Sequence, residues 1–397
     1  MTSAEEALHV DAYVEIVKRA HPAGAQRAGL LEAAQAETKA VRQIPDPVFE
    51  YSHGRATARD GSRASGSEDG YSLSQTIPWP GSLKAAMSAG DAAAASLRAG
   101  ADAVAWELEA RAREAFVRLQ AARDLLAIAR DAEADARSLR DLVSRRAELG
   151  ESRESDRIKA VVEWLRQQRA SIAAQRESDA AEAILRGLAV EPLPRPLALV
   201  RVELPRFPPL DAEAVAAGLA DRNPRLLAAR ANAARQVALL SFAKRSRLPD
   251  LDLTLFKERE LDKESDGFAL GVKIPLWNAN RGQIARAAAA SRVSDAEAAR
   301  LRLELLAELQ GRLTELQVAA DQSVLLEDEI LPAAGRSLSL VRLSYSEGET
   351  SLLDLLDAQR TARGAQLEAV QARLALALAL GEVRKLVGPD FNPWRDR

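Results

Sequence analysis

The sequence predicts a mainly α-helical fold with a small β part, built twice over, and three observations carry that prediction. The first is an internal repeat. Asp69-Gly70-Tyr71-Ser72-Leu73 running to Ile77-Pro78 recurs as Asp266-Gly267-Phe268-Ala269-Leu270 running to Ile274-Pro275, and Gly150-Glu151-Ser152 with Asp156 recurs as Gly348-Glu349-Thr350 with Asp354. His21-Pro22 and Asn223-Pro224 open the two copies. A repeat of roughly 200 residues exceeds any solenoid unit, so the two halves share one architecture. The second observation is composition: Ala, Leu, Arg and Glu dominate and aromatics are 4%, the usage of long helices. The third is a pair of alternating segments ahead of each helical run.

The first repeat spans 1–191. Its strand pair falls at about 47–78: Val48 to His53 leads through a Gly, Arg and Ser-rich loop to Tyr71 to Ile77, where Tyr71, Leu73 and Ile77 share one face by period-two alternation. A helical hairpin follows at about 82–187. From Ser82 to Leu149 there is no proline, and Leu108, Ala112, Ala115, Leu119, Ala122, Leu126 and Ala129 recur at alternating steps of four and three. That 3.5-residue period buries one narrow seam against a partner helix. A rod of some 65 residues, at ~1.5 Å rise, reaches roughly 100 Å.

A Pro-rich connector at 192–209 leads into the second repeat, 210–397. Its strand pair lies at about 250–275, with Leu251 to Phe256 and Phe268 to Ile274, and Phe268, Leu270, Val272 and Ile274 share a face. Its hairpin lies at about 282–387, with Leu306, Leu309, Leu313, Leu316 and Ala320 on the seam. Short connections make consecutive helices antiparallel, so Gly150 and Gly348 mark hairpin tips, with Ser152 and Thr350 as capping hydroxyls. A glycine that merely interrupts one continuous helix is the other reading of each tip.

Composition also excludes. A formal charge of −3 and a pI near 5.9 offer no basic face for nucleic acid. Cysteine is absent, so disulfides, thiolate metal sites, cysteine nucleophiles and an acylated N-terminal cysteine are not expected. His9, His21 and His53 are isolated from one another and lack metal-ligand spacing. No phosphate loop, nucleophile elbow or zinc motif is present, so neither catalysis nor a bound cofactor or metal is expected. Glu5 and Glu6 stand where an export leader would carry basic and then apolar residues, the pattern of a mature or trimmed form.

The longest clean apolar run, Leu374 to Leu380, is far short of the ~20 residues of a spanning helix, so any membrane crossing belongs to the strands. Trp79 and Trp277, just past them, suit an interfacial belt. Four strands cannot close a barrel, and open edges are not tolerated in lipid. Three chains would supply twelve strands, a workable barrel. A soluble coiled-coil scaffold, with the strand pairs packed as a small cap, is the alternative.

The pattern resembles the TolC-like outer-membrane factor family over nearly the whole chain. Tyr345-Ser346-Glu347-Gly348 followed by Asp354-Leu355-Leu356-Asp357-Ala358 is similar to the family's second hairpin tip, and Gly150 with Asp156 stands at the first. Ile274-Pro275-Leu276-Trp277-Asn278-Ala279-Asn280-Arg281-Gly282 resembles the heavy-metal branch of CzcC and CusC-like proteins. The resemblance implies a homotrimer: a twelve-strand β-barrel in outer-membrane lipid, four strands per chain, above a periplasmic α-barrel. It further implies a membrane-fusion adaptor and an inner-membrane pump as partners, with efflux, including that of heavy-metal cations, as the task.

Candidate site residues follow. Asp354 and Asp357, three apart and so on one helix face, would ring the aperture in a trimer and favour cations, or would simply be a solvated helix start. Tyr345 and Asp156 are candidates for a gate contact between neighbouring hairpins, Tyr345 being otherwise an ordinary exposed tyrosine. Leu149, Gly150 and Glu151, with Glu347, Gly348 and Glu349, are the exposed ends expected to touch an adaptor.

Overall fold

The computed structural model describes residues 7–41, 44–57, 65–204, 206, 212–260, 263–272, 280–388 and 391. Helices α1 (Val10–Ala20) and α2 (Pro22–Ala40) precede strands β1 (Val48–Thr57) and β2 (Ser65–Ile77), the long helix α3 (Pro80–Glu148) and its return α4 (Glu154–Ala189). The order then repeats with α5 (Ala212–Arg222), α6 (Pro224–Arg245), β3 (Leu251–Arg259), β4 (Glu264–Val272), α7 (Arg281–Leu325), a π-helical segment (Leu326–Ile330), α8 (Leu331–Glu347) and α9 (Leu352–Val387). His21-Pro22 and Asn223-Pro224 have a clear local role: Pro22 and Pro224 are the first residues of α2 and α6, where a missing N–H costs nothing. His21 Nδ1 accepts from the Ala23 N–H at 3.1 Å. Asn223, fully buried, donates to the Leu386 carbonyl at 2.6 Å.

Two compact units divide the chain: residues 28–102 with 224–302, and residues 1–27, 103–223 and 303–397. The first holds one antiparallel sheet in the order β1-β2-β3-β4, so the strand pairs of the two repeats join each other. The register aligns Phe49 with Leu73 and Leu255, and Leu255 with Phe268; Tyr51 aligns with Tyr71, Ile77 with Leu251, and Leu251 with Val272. Directly paired residues share a face, so nearly all the large apolar side chains stand on one side. There Phe49, Tyr71, Leu73, Ile77, Leu255, Phe268, Leu270 and Val272 are all exposed.

The opposite face is mostly small and polar, with Val48 and Phe256 as its large apolar residues. Ser74 bonds Thr254 at 2.9 Å and Thr76 donates to Asp252 at 2.6 Å. The duplicated Asp-Gly-aromatic motif is explained by this geometry: a Cβ on Gly70 would lie 2.5 Å from Ser52 Oγ, and one on Gly267 would lie 3.0 Å from the Phe256 ring. Trp79 is exposed just past β2, its backbone N–H donating to Asp250 at 3.1 Å. Ile274, Trp277 and most of the stretch that resembles the heavy-metal branch lie outside the described residues.

The other unit is helical. Every seam position read for α3, from Leu108 to Ala129, is buried. On α7 the buried apolar residues are Leu305, Leu309, Leu313, Leu316 and Ala319, so the apolar stripe begins and ends one residue away from the predicted Leu306 and Ala320. A larger core gathers α1, α3, α4 and the connector: Tyr13, Val17, Phe116, Leu119, Leu185 and Leu197 pack together, and the Tyr13 hydroxyl donates to the Leu185 carbonyl at 2.8 Å. Among the described residues no helix is long and apolar enough to cross a membrane.

The second long helix is not uniform. Pro332 sits at the start of α8, where it can offer no N–H to the carbonyl four residues back and its ring would crowd that turn. The helix widens instead: Leu331 N–H bonds to Leu326 O, a five-residue step, which is how a π segment absorbs such a defect.

Candidate functional site

The hairpin tips are built alike from backbone chemistry. Gly150 and Gly348 have φ of +77° and +80°, a left-handed conformation that glycine adopts freely. At the first tip Glu151 N–H bonds to Arg146 O at 2.8 Å and Gly150 N–H to Ala147 O at 3.0 Å; at the second Glu349 N–H bonds to Ser344 O at 2.9 Å and Gly348 N–H to Tyr345 O at 3.2 Å. Both are Schellman endings, which close the helix by satisfying its last carbonyls. Leu149, Gly150, Glu151, Glu347, Gly348 and Glu349 are all exposed, Leu149 at 74%.

The capping hydroxyls differ from the expected pair. Ser152 does not cap α4, whose N-cap is Arg153 with no side-chain bond. Thr350 does not cap α9 either, and its buried hydroxyl has no hydrogen-bond partner among the described residues. Ser351 caps α9 instead, in a reciprocal box: its hydroxyl accepts from Asp354 N–H, and the Asp354 carboxylate takes Ser351 N–H at 3.0 Å and Ser351 Oγ–H at 2.6 Å. The side-chain bond and then the backbone bond from Ser351 hold the Asp354 carboxyl below the usual carboxylate range. Asp357, one turn on, is exposed.

Behind the tips the two hairpins pack directly on each other. Leu139, Val143 and Ala160 meet Leu352, Leu355 and Leu356, with Tyr345 against the cluster, and Arg342 of α8 bonds Asp135 of α3. Within the chain Tyr345 and Asp156 lie close enough to interact, and each also has a basic neighbour. The Arg146 guanidinium lies 5.9 Å from the Tyr345 ring centroid, and the Asp156 carboxylate pairs with Lys159 at 3.1 Å. Burial, the largest influence, raises the Tyr345 phenol, with Asp156 adding to the rise and Arg146 opposing it.

Sequence reasoning missed Glu163. It is 4% exposed on α4, accepts from Arg360 of α9 at 2.8 Å and from Gln167 at 2.7 Å, and has Arg363 at 3.7 Å. Burial pushes its carboxyl up, but the bonds from Arg360 and Gln167 outweigh that and hold it below the usual range. The signal was present: the buried line of α4 runs Ala160, Glu163, Gln167, Ser171 and Ser178, polar and small residues, before it reaches Leu185 and Ala189. The apolar residues Ile158, Val162, Leu165, Ile172 and Ile184 face outward.

The arrangement presents two helical hairpins side by side, with charged, exposed ends. Residues 217–389 match the family model for outer membrane efflux protein. That match covers most of the second repeat. The Campylobacter jejuni CmeC outer membrane channel has a similar structure, with a TM-score of 0.79 over 97% of this chain and 86% of that one at 15% identity. CusC, solved in work on its folding and transmembrane channel formation, gives 0.77 over 96% and 92% at 20% identity. In sequence, the cobalt-zinc-cadmium resistance protein CzcC of Cupriavidus metallidurans is 27% identical over 143 residues, 36% of this chain. That aligned part is 34% of the curated relative's length.

Proposed function

We propose that this chain is an outer-membrane efflux protein, three copies of which form the exit duct of a tripartite efflux system, receiving substrate from an inner-membrane pump through a periplasmic adaptor. The observation that carries the reading is the sheet: four strands with one bare apolar face and two unpaired edges, β1 and β4. Such a sheet is stable in lipid only when its edges close on further copies. The soluble-scaffold alternative requires that face to be covered, and among the described residues it is exposed. The outward apolar line of α4 and the exposed Leu303, Val318, Leu340 and Leu343 of α7 and α8 supply matching surfaces for neighbouring copies in the helical part.

In this reading the first and second tips dock the adaptor through Leu149, Gly150, Glu151, Glu347, Gly348 and Glu349. Asp354 and Asp357 form the aperture ring, and Tyr345 and Asp156 make the gate contact between hairpins of adjacent copies. The CzcC relative, named for cobalt, zinc and cadmium resistance, supports divalent metal cations as substrates. The strands and domains act as two structural repeats, 1–191 and 210–397, joined by the connector at 192–209. Single-channel recording in planar bilayers tests the reading. The wild-type protein should conduct with a preference for cations and be blocked by multivalent cations, and Asp354→Asn with Asp357→Asn should reduce both. Absence of any conductance from the folded protein would refute the duct.

A further inference from the structure

A cavity of about 420 Å³ opens among α3, α9, the start of α1, the connector and α7. Five arginines and Lys385 line it against three glutamates. The glutamates are already engaged: Glu109 with Lys18 at 2.7 Å and Arg113 at 3.0 Å, Glu114 with Arg118 at 2.8 Å, and Glu382 beside Arg312 at 3.9 Å. Arg384 is different. Its Nε is buried and has no hydrogen-bond partner among the described residues. The carboxylates that act on it, Glu109 and Asp11, are both held by Arg113, at 3.0 and 2.7 Å. Burial, then repulsion from Arg113, works against its charge, yet a guanidinium remains protonated in proteins. The cavity wall therefore carries a cation whose charge is not fully met.

The rest of the wall is largely carbon. Trp106, Val117, Ala377 and Leu378 line it, and the Trp106 indole N–H is committed to the Lys385 carbonyl at 3.2 Å, which fixes the ring. We propose that this cavity binds a small organic carboxylate, its charged end on Arg384 and its apolar body along Trp106, Val117 and Leu378. A guanidinium offers a planar fork that a carboxylate matches with two parallel bonds, and the apolar wall distinguishes such a ligand from a bare inorganic anion. Gly381 also lines the cavity, and a Cβ there meets nothing within 4 Å, so a larger side chain can occupy the space without disturbing α9.

The test is calorimetric titration of the full-length protein, purified in detergent, with phenylacetate, its neutral isostere phenylacetamide, and inorganic phosphate. Phenylacetate should bind saturably at one site per chain, and phenylacetamide and phosphate at least tenfold more weakly. Arg384→Met and Gly381→Leu should each weaken phenylacetate at least tenfold while the oligomer mass by light scattering is unchanged. Gly381→Leu keeps the test independent of any fold disturbance from losing the arginine. The proposal is overturned by absence of saturable phenylacetate binding, by equal binding of phenylacetamide or phosphate, or by two folded variants that bind as the wild type does. None of these outcomes depends on whether the protein conducts.

Discussion

Glu163 joins the two hairpins by charge where apolar packing would be the ordinary solution. Arg360 and Arg363 both lean on it; Arg360 is half exposed and screened by water, so losing the buried carboxylate's charge costs about 1–3 kcal/mol. Glu163→Gln should therefore lower thermal stability by that order, measured on the assembled protein. Its pH dependence has a definite sign. The folded carboxyl lies below the ordinary value of 4.5, so its contribution is complete above that value and is lost as the pH falls through the lower folded value. Wild type should lose more stability than Glu163→Gln between pH 5 and the acid limit, and parallel melting curves would contradict the assignment. At the second tip, Ser351→Ala should cost about 1 kcal/mol by removing the N-cap of α9, read as faster hydrogen exchange in its first turn. Thr350→Val should be neutral or stabilising, because its buried hydroxyl has no hydrogen-bond partner among the described residues. The two hydroxyls are adjacent in sequence, and only the turn geometry after Gly348 decides which one reaches the helix.

The strands make the sharpest element-scale prediction. Phe268→Arg or Leu270→Arg, on the exposed apolar face, should impair membrane assembly by about 2–4 kcal/mol near the bilayer midplane. Ser72→Lys on the opposite, polar face should be tolerated, as judged by the heat-resistant oligomer on gels. Equal damage on both faces would show that the face is packed against protein. Period two made these faces legible in the sequence, since Tyr71, Leu73 and Ile77 alternate with Ser and Thr, and the tips were legible because Gly150 and Gly348 end long regular runs. The helix seams were only half legible. An apolar line is ordinarily read as buried, but α4 buries Glu163 and Gln167 and turns Ile158, Leu165 and Ile172 outward. A single chain cannot show which line its own helices cover and which a neighbouring copy covers. Pro332 was visible in the sequence, but its effect, one widened π turn rather than a break, depends on the helices packed around it.

At the scale of the whole molecule, the open sheet and the outward line of α4 make the same demand: each needs more copies of the chain. Ile172→Asp should leave the helical content of the chain unchanged in circular dichroism and lower the yield of the oligomer, which separates folding of the chain from its assembly. Three chains together should close one barrel and one tunnel, and native mass spectrometry of the protein released from detergent tests this. The account predicts a single dominant species holding three copies of the 42.8 kDa chain. A stable, folded monomer under the same conditions would contradict it.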